Sequence, residues 1–127
     1  QYQNAINDYT MAVQLDSDYA NAWLYNERGY AYSQVGQYQN AINDYTMAVQ
    51  LDSDYATAWL YNERGVSYYR LDQYQTAVND YTMAIQLEPS GLHYFNRAWA
   101  YYYLGEYTKM YADDAAACSL DSQYCSD

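Results

Sequence analysis

The residues AWLYNERG occur at 22–29 and again, unchanged, 36 positions later at 58–65. The copy extends well beyond those eight. QYQNAINDYTMAVQLDSDYA at 1–20 recurs at 37–56, and Tyr32 matches Tyr68. A looser third copy starts at Gln73 (QYQTAVNDYTMAIQLEP), and a degraded fourth starts at Glu106 (EYTKMYADDAAACSLDS) after a spacing of 33. A unit repeating every 20 to 50 residues or so cannot bury its apolar face alone and does so by stacking on its neighbours. The period therefore predicts one stacked array, not several independent domains. Gln1 opens inside a unit, so the stripe Ala5, Ile6, Tyr9 and Val13 is expected to lack a covering helix.

Within a unit, Tyr38, Ala41, Ile42, Tyr45, Ala48 and Val49 fall three and four apart, which draws one apolar stripe along a helix. The same stripe recurs at Tyr2, Ala5, Ile6, Tyr9, Ala12, Val13 and at Tyr74, Ala77, Val78, Tyr81, Ala84, Ile85. In the intervening segment Ala58, Tyr61, Gly65 and Tyr68 share one helical face, and Ser53 or Asp54 is placed to cap that helix. Pro89 punctuates the third junction. The unit reads as helix, short turn, helix. Gly29 and Gly65 sit in mid-helix, where glycine costs about 1 kcal/mol relative to alanine. Close approach of a partner helix is the compensating reason, with Ala41, Ala48, Ala77 and Ala84 as matching flat spots.

Tyr61-x-x-Arg64-Gly65-x-x-Tyr68, then Ala77-x-x-x-Tyr81, Ala84 and Pro89, resembles the tetratricopeptide repeat pattern of W-x-x-L-G-x-x-Y, A-x-x-x-F and P. Tyr25, Arg28, Gly29, Tyr32, Ala41, Tyr45 and Ala48 repeat it, and Tyr94, Arg97, Ala98 and Tyr101 begin it again. The resemblance implies an all-α fold, a right-handed α-solenoid of antiparallel helix pairs. It divides the chain into a half repeat at 1–17, repeats at about 18–53, 54–89 and 90–121, and a short C-terminal tail. The chain departs from the family in its 36-residue period, in arginine for the usual leucine, and in Ser17 and Ser53 where proline is common. Two extra residues lengthen either the first helix, by about 3 Å, or the turn before it. The arginines have a physical reading. Arg28, Arg64 and Arg97 lie on the inward face of the first helix, while Asp8, Asp44 and Asp80 precede the packed tyrosine of the second. A half-buried guanidinium needs a carboxylate, so Arg–Asp ion pairs between packed helices are predicted.

The side chains offer little for catalysis. His93 is the only histidine, which excludes a multi-histidine metal site and a triad with a second titrating base; it reads as a surface or capping residue. Asp16-Ser17-Asp18 and Asp52-Ser53-Asp54 mimic a metal-binding DxD but lack the glycine and distal glutamate of a calcium loop, so they read as helix caps. No catalytic residue, metal or cofactor is expected. With 16 Asp and Glu against 5 Lys and Arg the net charge is −11, which repels phosphate backbones and anionic lipid. Nucleic acid and membrane insertion are accordingly not expected.

Cys118 and Cys125 are seven apart, about 10 Å on a continuous helix and too far to bridge. If the helix ends near Leu120, before Asp121-Ser122-Gln123, the chain can fold back and close a disulfide; two free, packed cysteines are the other reading. An even count in an acidic, lysine-poor chain favours an oxidising compartment, extracellular, periplasmic or at the cell surface, over the cytoplasm.

Binding is the better-supported role. The resemblance implies that the first helix of each pair lines a groove for peptides or partner proteins. On that face stand Trp23, Asn26, Glu27 and Tyr30, then Trp59, Asn62, Glu63, Val66 and Tyr69, then Phe95, Trp99 and Tyr102. These aromatics and carboxylates favour cationic or aromatic-rich ligands. The alternative is that the tryptophans pack between adjacent units. The basic clamp with which family members hold acidic chaperone tails needs Lys and Arg in the groove, and only Arg70 is available. Two functions follow: a non-enzymatic scaffold for protein–protein interaction, or a tyrosine-rich structural subunit that assembles head-to-tail into an extracellular filament.

Overall fold

Repeated backbone devices cut this chain into helices of similar length. The computed structural model describes residues 1–15 and 21–126. In chain order the helices are α1 (Tyr2–Leu15), α2 (Ala22–Gln34), α3 (Tyr38–Leu51), α4 (Ala58–Arg70), α5 (Tyr74–Leu87), α6 (Gly91–Leu104) and α7 (Tyr107–Leu120). Single 3₁₀ turns follow α3 (Ser53–Tyr55) and α7 (Ser122–Tyr124). Among the described residues there is no strand.

At the N-termini of α2, α4 and α6, a side chain one residue before the helix satisfies a free amide. Asn21 Oδ1 accepts from the Leu24 amide at 3.0 Å, Thr57 Oγ1 from Leu60 at 3.2 Å and Ser90 Oγ from Leu92 at 3.2 Å. The expectation that Ser53 or Asp54 caps α4 is therefore corrected. Both lie inside the 3₁₀ turn, which Asp52 caps by accepting from the Asp54 amide at 2.9 Å, and this turn delays the helix to Ala58. Asp16, Ser17 and Asp18 lie outside the described residues. At the C-termini of α2, α4 and α6 a residue turns left-handed and the amide after it reaches back five residues: Gln37 to Tyr32, Gln73 to Tyr68 and Glu106 to Tyr101.

These devices explain the period. From first helix to second the chain takes the same stride, Ala58 to Tyr74 and Gly91 to Tyr107. From second helix to first it uses residues 52–57 after α3 but only 88–90, with Pro89, after α5. The longer period is therefore carried by the 3₁₀ turn and not by a longer helix.

The helices form two compact units, Gln1–Ala56 and Thr57–Asp127. In the first, α2 packs against both α1 and α3. In the second, α4, α5, α6 and α7 pack in sequence, the first three around Ala77, Val78, Tyr81 and Ala100, with Leu60 fully buried. Helices α1 and α3 have the same sequence, YQNAINDYTMAVQL, and so form an internal control. Ile6 and Ile42 are equally buried, because α2 covers both; Ile6 thus does have a covering helix, contrary to expectation. Asp44 and Tyr45 are buried whereas Asp8 is exposed and Tyr9 half-buried, since only α3 presents that face to the glycine side of α2. Burial of this helix is decided by its neighbours rather than by its residues.

Candidate functional site

The α2–α3 and α4–α5 pairs are locked by the same two contacts, of which the α6–α7 pair keeps one. A Cβ placed on Gly29 would lie 3.1 Å from ring carbons of Tyr45, and one on Gly65 would lie 2.8 Å from Tyr81 Cε1, so glycine is what admits the tyrosine ring. The buried alanines do not make this closest approach; the ring does. Beside it the predicted arginines form bidentate pairs. Arg28 donates to Asp44 at 2.7 and 2.9 Å, Arg64 to Asp80 at 2.8 Å twice, and Arg97 to Asp113 at 2.7 Å twice. The predicted Asp8 is not a partner and Asp113 is, because each arginine pairs with the helix that follows it in the chain.

Each guanidinium also lies over tyrosine rings of its own helix, Arg28 between Tyr25 and Tyr32, Arg64 over Tyr61, and Arg97 between Tyr94 and Tyr101. Arg28 and Arg97 reach one helix further back, to Thr10 Oγ1 at 3.3 Å and Thr82 Oγ1 at 3.1 Å, so each ties three successive helices. A leucine could not do this. The carboxylate bonds hold all three arginines above their ordinary pKa. At Asp44, burial pushes the carboxyl up by more than Arg28 pulls it down.

In the last pair the glycine and tyrosine are both replaced. Ala98 occupies the glycine position of α6, and Asp114 the tyrosine position of α7. A cavity of about 670 Å³ opens there, walled by Phe95, Ala98, Trp99, Tyr102, Met110, Tyr111, Asp114 and Tyr124. Tyr124 is brought in by the last 3₁₀ turn, packs on Phe95 at 4.8 Å between ring centroids, and sits where Gly91 leaves room. The Cys118–Cys125 bridge, with Cα atoms 4.4 Å apart, holds that turn against α7. The apolar wall, and secondarily the neighbouring Asp113, pushes the Asp114 carboxyl above its usual value.

A smaller hollow of about 270 Å³ is lined by Val66, Tyr69, Arg70, Tyr81, Asn96, Trp99 and Tyr103. The residues expected to bind a partner are thus distributed. Phe95, Trp99 and Tyr102 line the large cavity; Val66, Tyr69 and again Trp99 line the small one. Asn62 is buried and accepts from Asn96 at 2.9 Å, Glu63 is pushed up by burial, and Trp59 is half exposed. On α2, Trp23 meets Tyr9 edge-on at 5.9 Å and Tyr30 meets Tyr2 at 6.1 Å, with Asn26 and Glu27 half-buried. Trp23 packs on Tyr9 of α1 and Trp99 on Phe95 of its own helix, and each exposes nearly half its surface. Sequence reasoning missed Met110, Tyr111, Asp114 and Tyr124. The signal for Asp114 was present, since aligning the fourth copy sets an aspartate where the other three have tyrosine.

His93 is buried, not at the surface, and its Nδ1 donates to the Glu88 carbonyl at 2.9 Å, tying down the turn that ends α5. Among the described residues no cluster of His, Cys, Asp and Glu is arranged to hold a metal, and no helix is long and apolar enough to cross a membrane.

The tetratricopeptide repeat family model matches residues 22–55 and 58–90. A search of curated protein sequences finds no match. Among solved structures the chain is similar to the crystal structure of MamA, with 23% identity over 95% of this chain and 69% of that one and a TM-score of 0.86, a likeness of fold. It is also similar to the first and second TPR of Spaghetti (RPAP3), each bound to the HSP90 peptide SRMEEVD. The first is 26% identical over 81% of both chains with a TM-score of 0.73. The second is 28% identical over 80% of this chain and 93% of that one, TM-score 0.72.

Proposed function

The chain belongs to the tetratricopeptide repeat family, and from that premise we propose that it is a non-enzymatic scaffold that engages a partner protein or peptide, with basic and aromatic segments as its preferred ligands. The observation that carries this reading is the aromatic cavity between α6 and α7, with a carboxylate, Asp114, in its wall. An ammonium or guanidinium group entering it would face the rings of Phe95, Trp99 and Tyr102 and a partly desolvated acid. Peptide recognition as such has support from the two Spaghetti repeats. Their peptide, SRMEEVD, carries three acidic side chains, and this chain has the wrong charge for it. Arg28, Arg64 and Arg97 are committed to aspartates, and Lys109 lies 3.5 Å from Glu106.

Calorimetric titration of the chain with an Arg- and Trp-bearing peptide, and separately with SRMEEVD, tests the proposal. The basic peptide should bind and weaken with added salt, and Trp99→Ala or Asp114→Asn should each lower affinity about tenfold, in the range of a desolvated cation–π contact. Equal or tighter binding of the acidic peptide would overturn the proposal.

The Cys118–Cys125 bridge supports an oxidising compartment, extracellular or periplasmic. A second reading, assembly of copies into a filament, draws on the tyrosine-rich composition of the repeat. Sedimentation before the titration separates the two readings, because a scaffold keeps one small size as concentration rises and a filament subunit does not.

A further inference from the structure

The connection from α4 to α5 departs from its two counterparts. At the left-handed position that ends α2 and α6 the chain has glycine, Gly36 at φ 81° and Gly105 at φ 75°. After α4 the same position is Asp72, at φ 61°. Left-handed backbone costs a residue with a Cβ roughly 1 kcal/mol, and aspartate is among the few that tolerate it. Strain accepted where neighbouring copies avoid it points to a use. Asp72 gains one bond by standing there: its Oδ1 accepts from the Tyr74 hydroxyl at 2.8 Å.

The ring of Tyr74 meets a second residue that the repeat does not require. Tyr103 on α6 occupies the position of Arg70 on α4, and it stacks on Tyr74 with centroids 4.9 Å apart and planes 10° from parallel. Tyr69 stands edge-on to both, at 5.5 and 5.8 Å. Tyr103 is 52% exposed, so the pair is open to a reagent in solution.

We propose that Tyr74 is a redox-active tyrosine with Asp72 as its proton acceptor, and that it couples to Tyr103 as a dityrosine strap joining α5 to α6. The oxidant is hydrogen peroxide acting through a peroxidase. Each phenol gives up one electron and its hydroxyl proton, that of Tyr74 passing to Asp72 Oδ1. The two phenoxyl radicals join through the ring carbons ortho to their oxygens, forming one C–C bond. The two hydrogens on those carbons then shift to the oxygens, which restores both phenols. In sum the rings lose two hydrogen atoms and one peroxide becomes two waters. A tyrosine hydroxyl is protonated at neutral pH, and the bond to Asp72 pushes that of Tyr74 further up, to about 12, so the electron leaves a protonated phenol and the proton must go with it. A positioned acceptor therefore sets the rate.

The test treats the whole chain, dilute enough to disfavour contacts between molecules, with peroxidase and peroxide. It reads dityrosine fluorescence, the loss of two hydrogens by intact mass, and the joined residues by peptide mapping. A Tyr74–Tyr103 link within one chain is expected as the first product among 21 tyrosines. Tyr74→Phe and Tyr103→Phe, which keep the packed rings, should each abolish it. Asp72→Asn should slow it roughly a hundredfold, the low end of what a positioned proton acceptor contributes. Asp72→Gly, which relieves the backbone and also removes the acceptor, should be equally slow. A first product that involves other tyrosines or joins two molecules would overturn the assignment. An unchanged rate in both Asp72 variants would remove Asp72 from it.

Discussion

At Gly65 two single-residue effects oppose each other. Alanine in mid-helix is better than glycine by about 1 kcal/mol. Its Cβ, however, would lie 2.8 and 2.9 Å from Tyr81 ring carbons and 3.3 Å from Asp80 Cβ, and Tyr81 is only 2% exposed and has little room to retreat. Overpacking a core costs about 1–3 kcal/mol, so the clash should win and Gly65→Ala should lose about 1 kcal/mol in urea unfolding. Gly29→Ala, with its nearest contacts at 3.1 Å, should lose less. The same comparison explains Ala98, for with aspartate in place of the ring the Cβ fits and the helix gains. A Gly65→Ala chain more stable than the parent would show that Tyr81 is free to move and that the glycine is not a packing device.

Among the elements, the arginine pairs decide which helix packs on which. The pairs are nearly buried, with arginine side chains 14–17% and aspartates 6–7% exposed, and the raised Asp44 shows that desolvation offsets much of the attraction. Asp44→Asn should therefore destabilise by about 3 kcal/mol by leaving Arg28 uncompensated, while Arg28→Met with Asp44→Leu should recover most of that loss. Thermal unfolding of the two variants measures the difference; equal losses would mean that the pair itself, and not the orphaned charge, carries the energy. The helices, the glycine contacts and the existence of these pairs were legible in the sequence, because periodicity and a mid-helix Arg-Gly follow from geometry within one element. The choice of Asp113 over Asp8 was not, since it depends on which neighbour each helix has. Neither was the cap at Thr57, which the 3₁₀ turn displaces from Ser53. The cavity stayed hidden for a related reason: its wall is built from α6, α7 and a tail folded back by Cys118–Cys125, residues that share no stripe.

For the molecule as a whole, the dominant quantity is its net charge of −11. Self-repulsion of this size disfavours the compact state at neutral pH, and the buried arginine pairs are too well shielded for salt to weaken them much. Raising sodium chloride from about 10 to about 150 mM shortens the screening length from roughly 30 to 8 Å, so the melting temperature at pH 7 should rise. Acid should act in the same direction. Glu63, which has no arginine partner pulling it down, is raised by burial in the folded chain. For a carboxyl raised on folding, the stabilising contribution is fully present below its unfolded pKa and is lost as pH climbs through the folded value. Lowering the pH from 7 towards the carboxylate range thus begins to return that contribution while it reduces the repulsion. Melting temperature at low salt should therefore increase over this interval, and the benefit of added salt should shrink with it. Repeating the series with His93→Gln takes the one imidazole out of the comparison. A melting temperature that falls steadily below pH 7 in both chains would mean that ionised carboxylates stabilise this fold on balance, and that the acidic surface is held by more pairing than its five cations provide.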